Sequence, residues 1–253
     1  MKRKAIRNIF SGSVLEREVY TIAEKTKDVR KAKPRLRFQT EEEREAHKLG
    51  MSKRKHRRNF NENFRPTSLY STLTFDDENE VHTWSEANYI KELYLRRLRY
   101  AYPEAVIFFY KGRGKSTHRI HFHMVSEGIP EEVIIKQWKY GEIAHIVHLR
   151  EHNYYQGVDH GQDYTGLADY LFEHWTPEQG GKRWYQTRNA RKPDRDKPQE
   201  AKRLYTEKKP PQTPLGYKYV ECHCTKYGYW CFKYVLEPPP DERRRGKKKK
   251  DSS

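Results

Sequence analysis

The chain has 253 residues, of which 34% are hydrophobic and 34% are charged, and its formal net charge is +17. It contains no run of about 18 apolar residues and no apolar segment at its N-terminus, so the sequence predicts neither a transmembrane helix nor a signal peptide. The cysteines number three, which fits a reducing compartment better than a disulfide scaffold.

The positive charge lies towards the two ends of the chain. Residues 1–64 hold 19 Lys and Arg against 9 Asp and Glu, residues 65–181 hold 12 against 17, and residues 182–218 hold 12 against 4. Basic flanks of this kind favour contact with nucleic-acid phosphates. A basic surface that only keeps the protein soluble is the alternative.

The first part of the chain, residues 1–64, has few apolar positions and several basic runs. This composition predicts a basic, loosely ordered N-terminal arm. Within it, Val14–Ala23 and Glu41–Leu49 are candidate short helices.

In residues 65–176, apolar residues recur every second position in some segments, as in strands, and at helical spacing in others. The predicted order is strand, helix, strand, strand, helix, strand, helix. The predicted elements are the strand Leu69–Phe75, a helix from the cap Ser85 to Pro103, the strands Ala105–Tyr110 and His118–Val125, a helix from Pro130 to Trp138, the strand Ile143–Leu149 and a helix from Asp163 to Trp175. The first six elements give an α+β, ferredoxin-like split β-α-β fold, an antiparallel sheet with helices on one face. Its first and third strands are central, and its other face is open to a ligand.

The third predicted strand alternates apolar residues with histidines. Ile120, Phe122 and Met124 fall on one face, whereas His121 and His123 fall side by side on the other. Two imidazoles on a rigid strand can hold one divalent metal. An exposed pair of histidines on a half-buried strand is the alternative.

The last predicted helix carries a tyrosine and a further histidine. Tyr170 and His174 are four residues apart and share a helix face, and Tyr164 lies about 120° away from Tyr170. A tyrosine beside a metal can attack phosphorus covalently. A core tyrosine is the alternative. Thr72 and Thr74, on the first strand, are expected beside the histidines.

Three short segments resemble the motifs of the HUH endonucleases, in the same order and on the same elements. These segments are His121-Phe122-His123, Ser71-Thr72-Leu73-Thr74-Phe75 and Leu167-Ala168-Asp169-Tyr170-Leu171. The resemblance covers about residues 65–176 and is strongest to rolling-circle replication initiators of plasmids, phages and mobile elements.

The resemblance implies a metal-dependent, sequence-specific cut in single-stranded origin DNA. The enzyme would stay joined to the 5′ end through phosphotyrosine at Tyr170, leave a 3′-OH primer, and later transfer the strand. His121 and His123 would bind Mg²⁺ or Mn²⁺. The expected setting is the cytoplasm of a bacterial host, with a host helicase as partner.

Two departures from the family pattern leave the third metal ligand open. Glu173 stands where initiators often have lysine, and the strand Ala105–Tyr110 holds no acid. His174 is the preferred third ligand, because its spacing from Tyr170 aims it at the same site. Glu173, as a supporting residue, and Glu104 are weaker choices.

The remainder of the chain is basic. Residues 177–214 read as a Pro-rich connecting segment, 215–236 as a β-hairpin, and 237–253 as a basic tail. The hairpin contains three cysteines that are either zinc ligands or packed thiols. The side chains expected to contact DNA are Arg113, Lys115, Arg119, Lys182 and Arg183.

Two other functions fit parts of this pattern. A mobilisation relaxase or single-strand transposase would use the same chemistry on a different DNA. A non-catalytic ferredoxin-like RNA-binding module would stack bases on sheet-face aromatics, whereas the histidine strand offers imidazoles.

Overall fold

The computed structural model describes residues 4–22, 40–225 and 228–237. Within them the chain is α+β, with two antiparallel sheets, one two-stranded ribbon and four α-helices. In chain order the elements are β1 (Lys4–Ser11), β2 (Val14–Thr21), α1 (Glu41–Asn63), β3 (Leu69–Leu73), α2 (Trp84–Ala101), β4 (Val106–Arg113), β5 (Ile120–Glu127), α3 (Glu131–Gln137), β6 (Ile143–His148), β7 (Tyr154–Tyr155), β8 (Val158–Asp159), α4 (Thr165–Glu173), β9 (Tyr185–Gln186), β10 (Asp194–Arg195), β11 (Gln199–Glu200), β12 (Tyr217–Cys224) and β13 (Trp230–Leu236). None of the helices in these residues has the length and apolar character needed to cross a membrane.

The histidine strand lies in the middle of a five-stranded sheet of order β6-β3-β5-β4-β9, which we call the histidine sheet. Every neighbouring pair in it is antiparallel. The central position of the first and third predicted strands, here β3 and β5, is therefore confirmed. The register sets Thr72 of β3 directly opposite His123 of β5.

The helix after β3 begins two residues earlier than its sequence indicated. Thr83, rather than Ser85, is the N-cap of α2: its side chain accepts from the Glu86 N–H, and Glu86 accepts from the Thr83 N–H. This reciprocal pair of hydrogen bonds satisfies two helix-end donors, which a lone serine cap does not.

Each face of the histidine sheet has its own apolar core. Leu73, Phe109 and Phe122 point to the face covered by α2 and α3, where Tyr94 and Trp138 pack on them. The opposite face is packed with residues from α1 and α4 together with sheet residues; these are Phe60, Phe64, Phe108, Tyr110, Val125, Ala168 and Leu171. The expectation of helices on one face only is therefore wrong, because two helices cover part of the histidine face as well.

Residues 4–22 and 40–64 belong to the folded structure. Strands β1 and β2 pair with each other, and β2 pairs with β13 of the C-terminal hairpin, in a second sheet of order β10-β1-β2-β13-β12. The predicted loosely ordered arm is thus wrong for residues 4–22 and 40–64. The predicted helix Val14–Ala23 is a strand over Val14–Thr21, whereas the helix predicted at Glu41–Leu49 is the first part of the longer α1.

Buried ion pairs explain why the charged N-terminal sequence folds. Glu18 on β2 is 2% exposed, and its carboxylate lies 2.6 Å from both Arg58 of α1 and Arg7 of β1. Burial acts to raise the pKa of Glu18, but the two arginines act in the opposite direction and the net pKa is below the usual value. Glu18 is therefore ionised. Charges that look solvated in the sequence therefore connect α1 with the second sheet.

The basic connecting segment adds three short strands to the sheets. Strand β9 extends the histidine sheet beside β4, and β10 and β11 pair with β1.

The predicted C-terminal hairpin is confirmed as β12 and β13. Its Cys222, Cys224 and Cys231 are free thiols and, in the described part of the chain, belong to no group of three metal ligands. The predicted basic tail lies outside the described residues beyond Glu237.

Candidate active site

Three histidines meet on the face of the histidine sheet that α4 covers. His121 and His123 come from β5, two residues apart on one face, and their Nε2 atoms are 3.1 Å apart. His174 follows the last residue of α4, and its ring lies 4.8 Å from that of His123. One ring nitrogen from each of the three lies within 4.8 Å of the others. The predicted ligands are therefore brought together.

The spacing of the two nitrogens from β5 fits two ligands of one ion. Metal–imidazole bonds of about 2.1 Å put neighbouring ligand nitrogens roughly 3 Å apart, which is the observed separation of the two Nε2 atoms. Unprotonated nitrogens at this distance repel each other unless a cation or proton lies between them. We infer that His121, His123 and His174 can hold a divalent metal.

The ring of His174 is oriented by its own helix. Its Nδ1 lies 2.7 Å from the backbone carbonyl oxygen of Tyr170, one turn earlier. A carbonyl oxygen only accepts, so Nδ1 must carry the proton. The lone pair is then on Nε2, the nitrogen that is free to bind a metal.

The ring of His123 is oriented by β3. The Nδ1 of His123 lies 2.9 Å from the Tyr70 hydroxyl and 3.2 Å from the Thr72 Oγ1. Hydrogen bonds to the second ring nitrogen fix the orientation of a metal-binding histidine and raise its affinity. The prediction that Thr72 lies at the site is confirmed. Thr74 does not reach it, because its hydroxyl donates to the Glu142 carbonyl.

Burial keeps these imidazoles neutral. Burial, and to a lesser degree the neighbouring His121 and His174, lower the pKa of His123 to about 3. Burial also lowers the pKa of His121. Because metal binding requires deprotonated nitrogens, a depressed pKa favours the ligand form at neutral pH.

A glycine makes room for His121. Gly112 on β4 is the register partner of His121, and a Cβ atom at position 112 would lie 2.6 Å from the His121 Nε2. Any larger side chain would therefore push the imidazole away from its present position. The sequence analysis did not identify Gly112, although a glycine inside a strand is a known sign of close approach.

Tyr170 is the accessible tyrosine of this site. The residue is 49% exposed, and its ring centroid lies 4.2 Å from that of His174 and 5.9 Å from that of His123. Tyr164 is 2% exposed, and burial raises the pKa of its phenol. Of the two, only Tyr170 is placed to meet a substrate at the histidine cluster.

Helix α4 is held in place by α1. Arg57 donates two hydrogen bonds of 2.5 Å to the Asp169 carboxylate, the geometry that gives the strongest pairs. Lys53 lies 2.5 Å from Glu173. Glu173 is thus paired with Lys53, and neither it nor Glu104 belongs to the histidine cluster.

The five predicted DNA contacts have different surroundings. Arg119 is paired with Asp77 at 2.9 Å and with Glu80 at 3.1 Å, so its charge is already neutralised. The guanidinium of Arg113 lies over the Trp84 ring, and Lys115 is exposed in the turn between β4 and β5. Lys182 and Arg183 line a groove beside the end of α4.

Two further residues of the site were missed by the sequence analysis. Tyr70 lies two residues before Thr72 on β3, so the alternation that placed Thr72 on the histidine face also places Tyr70 there. Arg57 lies in a region that appeared to be an unstructured basic run, and no local pattern pairs it with Asp169.

The comparisons with known proteins add no family. No protein-family model matches the chain, and no curated protein and no solved structure matches it either. The geometry of the site and the chemistry of its side chains are therefore the basis for a functional assignment.

Proposed function

We propose that this chain is an HUH-type DNA endonuclease and strand transferase that initiates rolling-circle replication. The observation that carries the proposal is the position of Tyr170: an exposed phenol lies one helix turn before His174, and its ring is next to those of His174 and His123. A nucleophile next to a metal site is what covalent phosphoryl transfer requires.

The architecture around the site supports the same assignment. The four strands β6-β3-β5-β4, with α2 and α3 on one face, have the order of a ferredoxin-like split β-α-β sheet. The three histidines and Tyr170 lie on the other face, over the central strands. We assign this sheet to the HUH fold on the basis of that order and of the motifs on β3, β5 and α4.

His121, His123 and His174 would hold the metal. When bound, a divalent ion polarises the scissile phosphate and stabilises its developing negative charge. Mg²⁺ prefers an octahedron of oxygens, whereas nitrogen ligands suit transition ions. Of the two expected ions, Mn²⁺ therefore fits an all-imidazole donor set better than Mg²⁺.

The covalent step belongs to Tyr170. Its Oη forms a bond to phosphorus as the bond from phosphorus to the 3′ oxygen breaks, leaving a 5′-phosphotyrosine and a 3′-OH. The proton lost by the phenol balances the one gained by the 3′ oxygen, and solvent can carry it because Tyr170 is half exposed. Attack of a 3′-OH on the phosphotyrosine reverses the step and joins strands.

The non-catalytic alternative has less support. RNA-binding modules of ferredoxin-like fold stack bases on an open sheet face. In this chain α1 and α4 cover part of that face, and its aromatic Tyr70 is engaged with His123. A relaxase or single-strand transposase would share the site, and the DNA that is cut distinguishes it from an initiator.

The test is a nicking assay with Mn²⁺ on single-stranded oligonucleotides from DNA adjoining the gene. We expect a cut product and a protein–DNA adduct that Tyr170→Phe abolishes. Tyr164→Phe is the matched control, because the Tyr164 hydroxyl has no hydrogen-bond partner in the described structure and its loss should be tolerated. Adducts that persist in Tyr170→Phe, or full cleavage in excess EDTA, would refute the proposal.

The cellular setting completes the proposal. A rolling-circle initiator would act in the cytoplasm of a bacterial host on origin DNA. Strand unwinding is a separate activity, which we assign to a helicase of the host.

A further inference from the structure

A groove of about 900 Å³ lies beside the C-terminal end of α4, and we call it the cationic groove. None of the described residues that line it is acidic. Five of them are basic, namely Lys55, Arg99, Lys182, Arg183 and Arg188. Its volume is within the range of about 300–1,000 Å³ typical of ligand sites. Its charge indicates an anionic ligand.

Four of the five groove cations are free of internal ion pairs in the described part of the chain. Lys55, Arg99, Lys182 and Arg188 are exposed, and no carboxylate in the described part of the chain forms an ion pair with any of them. By contrast, Lys53 and Arg57 on the same helix as Lys55 are paired with α4. Like charges gathered in a groove repel one another, and a polyanion relieves that repulsion.

The groove also contains a flat stacking surface. The guanidinium of Arg183 lies 4.2 Å from the Trp175 ring centroid and 4.9 Å from that of Phe172. Trp175 and Trp184 are partly exposed along the same groove. Aromatic rings and arginine planes bind the faces of unpaired bases, which single strands offer and duplexes hide.

The groove includes the residue that follows the last histidine of the candidate active site. Trp175 is the residue directly after His174, and Phe172 lies on α4 between Tyr170 and His174. The Gln179 side chain donates to the His174 carbonyl at 2.8 Å. This hydrogen bond connects the end of α4 with the residues just before the groove-lining residues 181–186. The groove therefore lies next to the C-terminal end of the helix that carries Tyr170.

We propose that the cationic groove binds single-stranded DNA beside the end of the helix that carries Tyr170. Lys55, Arg99 and Arg188 contact backbone phosphates, and a base stacks on the Arg183–Trp175 pair. The proposal rests on the proposed function for the identity of the strand as the one that is cut. Binding in the groove requires neither metal nor cleavage.

The first test compares two triple variants of the full chain. Lys55→Ser/Arg99→Ser/Arg188→Ser removes three groove charges, and Arg96→Ser/Lys136→Ser/Lys139→Ser removes three exposed charges elsewhere, on α2, α3 and the residue after Trp138. Affinity for a 20-nucleotide mixed-sequence single strand is measured by anisotropy in EDTA, from 0.05 to 0.2 M salt. Thermal unfolding checks that both variants fold.

We expect the groove variant to have a shallower slope of log affinity against log salt, by about 2, because each phosphate contact contributes about 0.7. Over the fourfold salt range the wild-type affinity then falls about 20-fold more than that of the groove variant. The control variant should keep the wild-type slope. Equal slopes for the two triple variants would overturn the proposal.

The second test addresses stacking. Arg183→Lys keeps the charge and removes the plane. It should weaken binding of the normal oligonucleotide but not of an abasic chain of the same length. An equal loss on both chains would overturn the stacking assignment. Duplex DNA or RNA that binds as tightly as the DNA single strand would overturn the choice of ligand.

The two proposals can fail separately. A wild-type protein that binds the single strand through the groove but cuts no DNA would refute the endonuclease and leave the groove intact. A protein that cuts DNA while both triple variants bind alike would refute the groove and leave the endonuclease intact.

Discussion

Gly112 lies directly opposite His121 in the pairing of β4 and β5, and the missing Cβ is what lets the imidazole turn towards His123. The Nε2 of His121 would be only 2.6 Å from a Cβ at position 112. The backbone of Gly112 does not have a positive φ, so alanine itself is compatible with the strand. The glycine is therefore required by the histidine and not by the fold.

Gly112→Ala should weaken metal binding while the protein stays folded. The alanine displaces His121 and breaks the three-nitrogen set, whereas its cost to the strand is small. Mn²⁺ affinity, measured by calorimetry, should fall at least about tenfold, with unfolding within about 1 kcal/mol of the wild type. Gly166→Ala is the control, because no atom lies within 4 Å of its Cβ position. Unchanged Mn²⁺ affinity in Gly112→Ala would contradict this account.

Tyr70→Phe should weaken metal binding in a different way. It removes the 2.9 Å hydrogen bond to the His123 Nδ1 and leaves the weaker Thr72 contact at 3.2 Å. Loss of such an outer partner typically costs about 10–100-fold in metal affinity. Mn²⁺ titration of Tyr70→Phe, with the exposed Tyr155→Phe as control, measures it. If the two variants bind Mn²⁺ equally well, Tyr70 does not orient His123.

His56 should make stability depend on pH. It is fully buried against Trp184, with its Nε2 2.7 Å from the Tyr110 hydroxyl, and burial lowers its pKa to about 3. In the unfolded chain the pKa is about 6.5. At a pH between these two values the unfolded state therefore binds a proton on His56 that the folded state does not bind. The contribution of His56 to the free energy of unfolding is complete above about pH 6.5 and is lost as the pH falls towards about 3.

His56→Gln isolates this contribution. The glutamine amide replaces Nε2 but does not titrate. Between about pH 6 and pH 4 the free energy of unfolding of the wild type should therefore fall more steeply than that of the variant, by about 1.4 kcal/mol per pH unit. Urea unfolding at several pH values gives both curves, and the other histidines contribute equally to each. Parallel curves would show that His56 is not held neutral.

Lys233→Met should destabilise the protein strongly. Lys233 on β13 lies 2.6 Å from Asp163, just before α4, and both side chains are buried. Burial acts to raise the pKa of Asp163, but Lys233 and hydrogen bonds from Thr165 lower it more, so Asp163 is ionised. Removing the cation leaves a buried charge unpaired, which costs about 3–5 kcal/mol.

Asp163→Asn in the same chain should recover much of that loss. In the wild-type protein the Thr165 N–H lies 2.9 Å from the Asp163 Oδ1. The amide oxygen of asparagine can accept the same hydrogen bond, and no buried charge remains. Lys48→Met is the control, because the exposed pair Lys48–Glu45 is worth about 0.5 kcal/mol. Chemical unfolding of the wild type, Lys233→Met, the double variant and Lys48→Met measures how much stability the second change recovers. If the double variant is as unstable as Lys233→Met, the charge is not the cause.

The sequence by itself determined the local geometry of the candidate site. The period of two in a strand put His121 and His123 on one face and Ile120, Phe122 and Met124 on the other. The spacing of four in a helix put Tyr170 and His174 together. These relations are set by backbone geometry alone, so they can be read from neighbouring positions.

Only the tertiary structure decided what the N-terminal residues do. The basic and acidic residues of 1–64 looked solvated, yet Arg58 and Glu18 form a buried pair, and Arg57 holds Asp169 from 112 positions away. Composition counts charges but does not say which of them meet. That α4 lies over the histidines, and that a groove opens at its end, follows from such long-range pairs, because no local periodicity records contacts between distant parts of the chain.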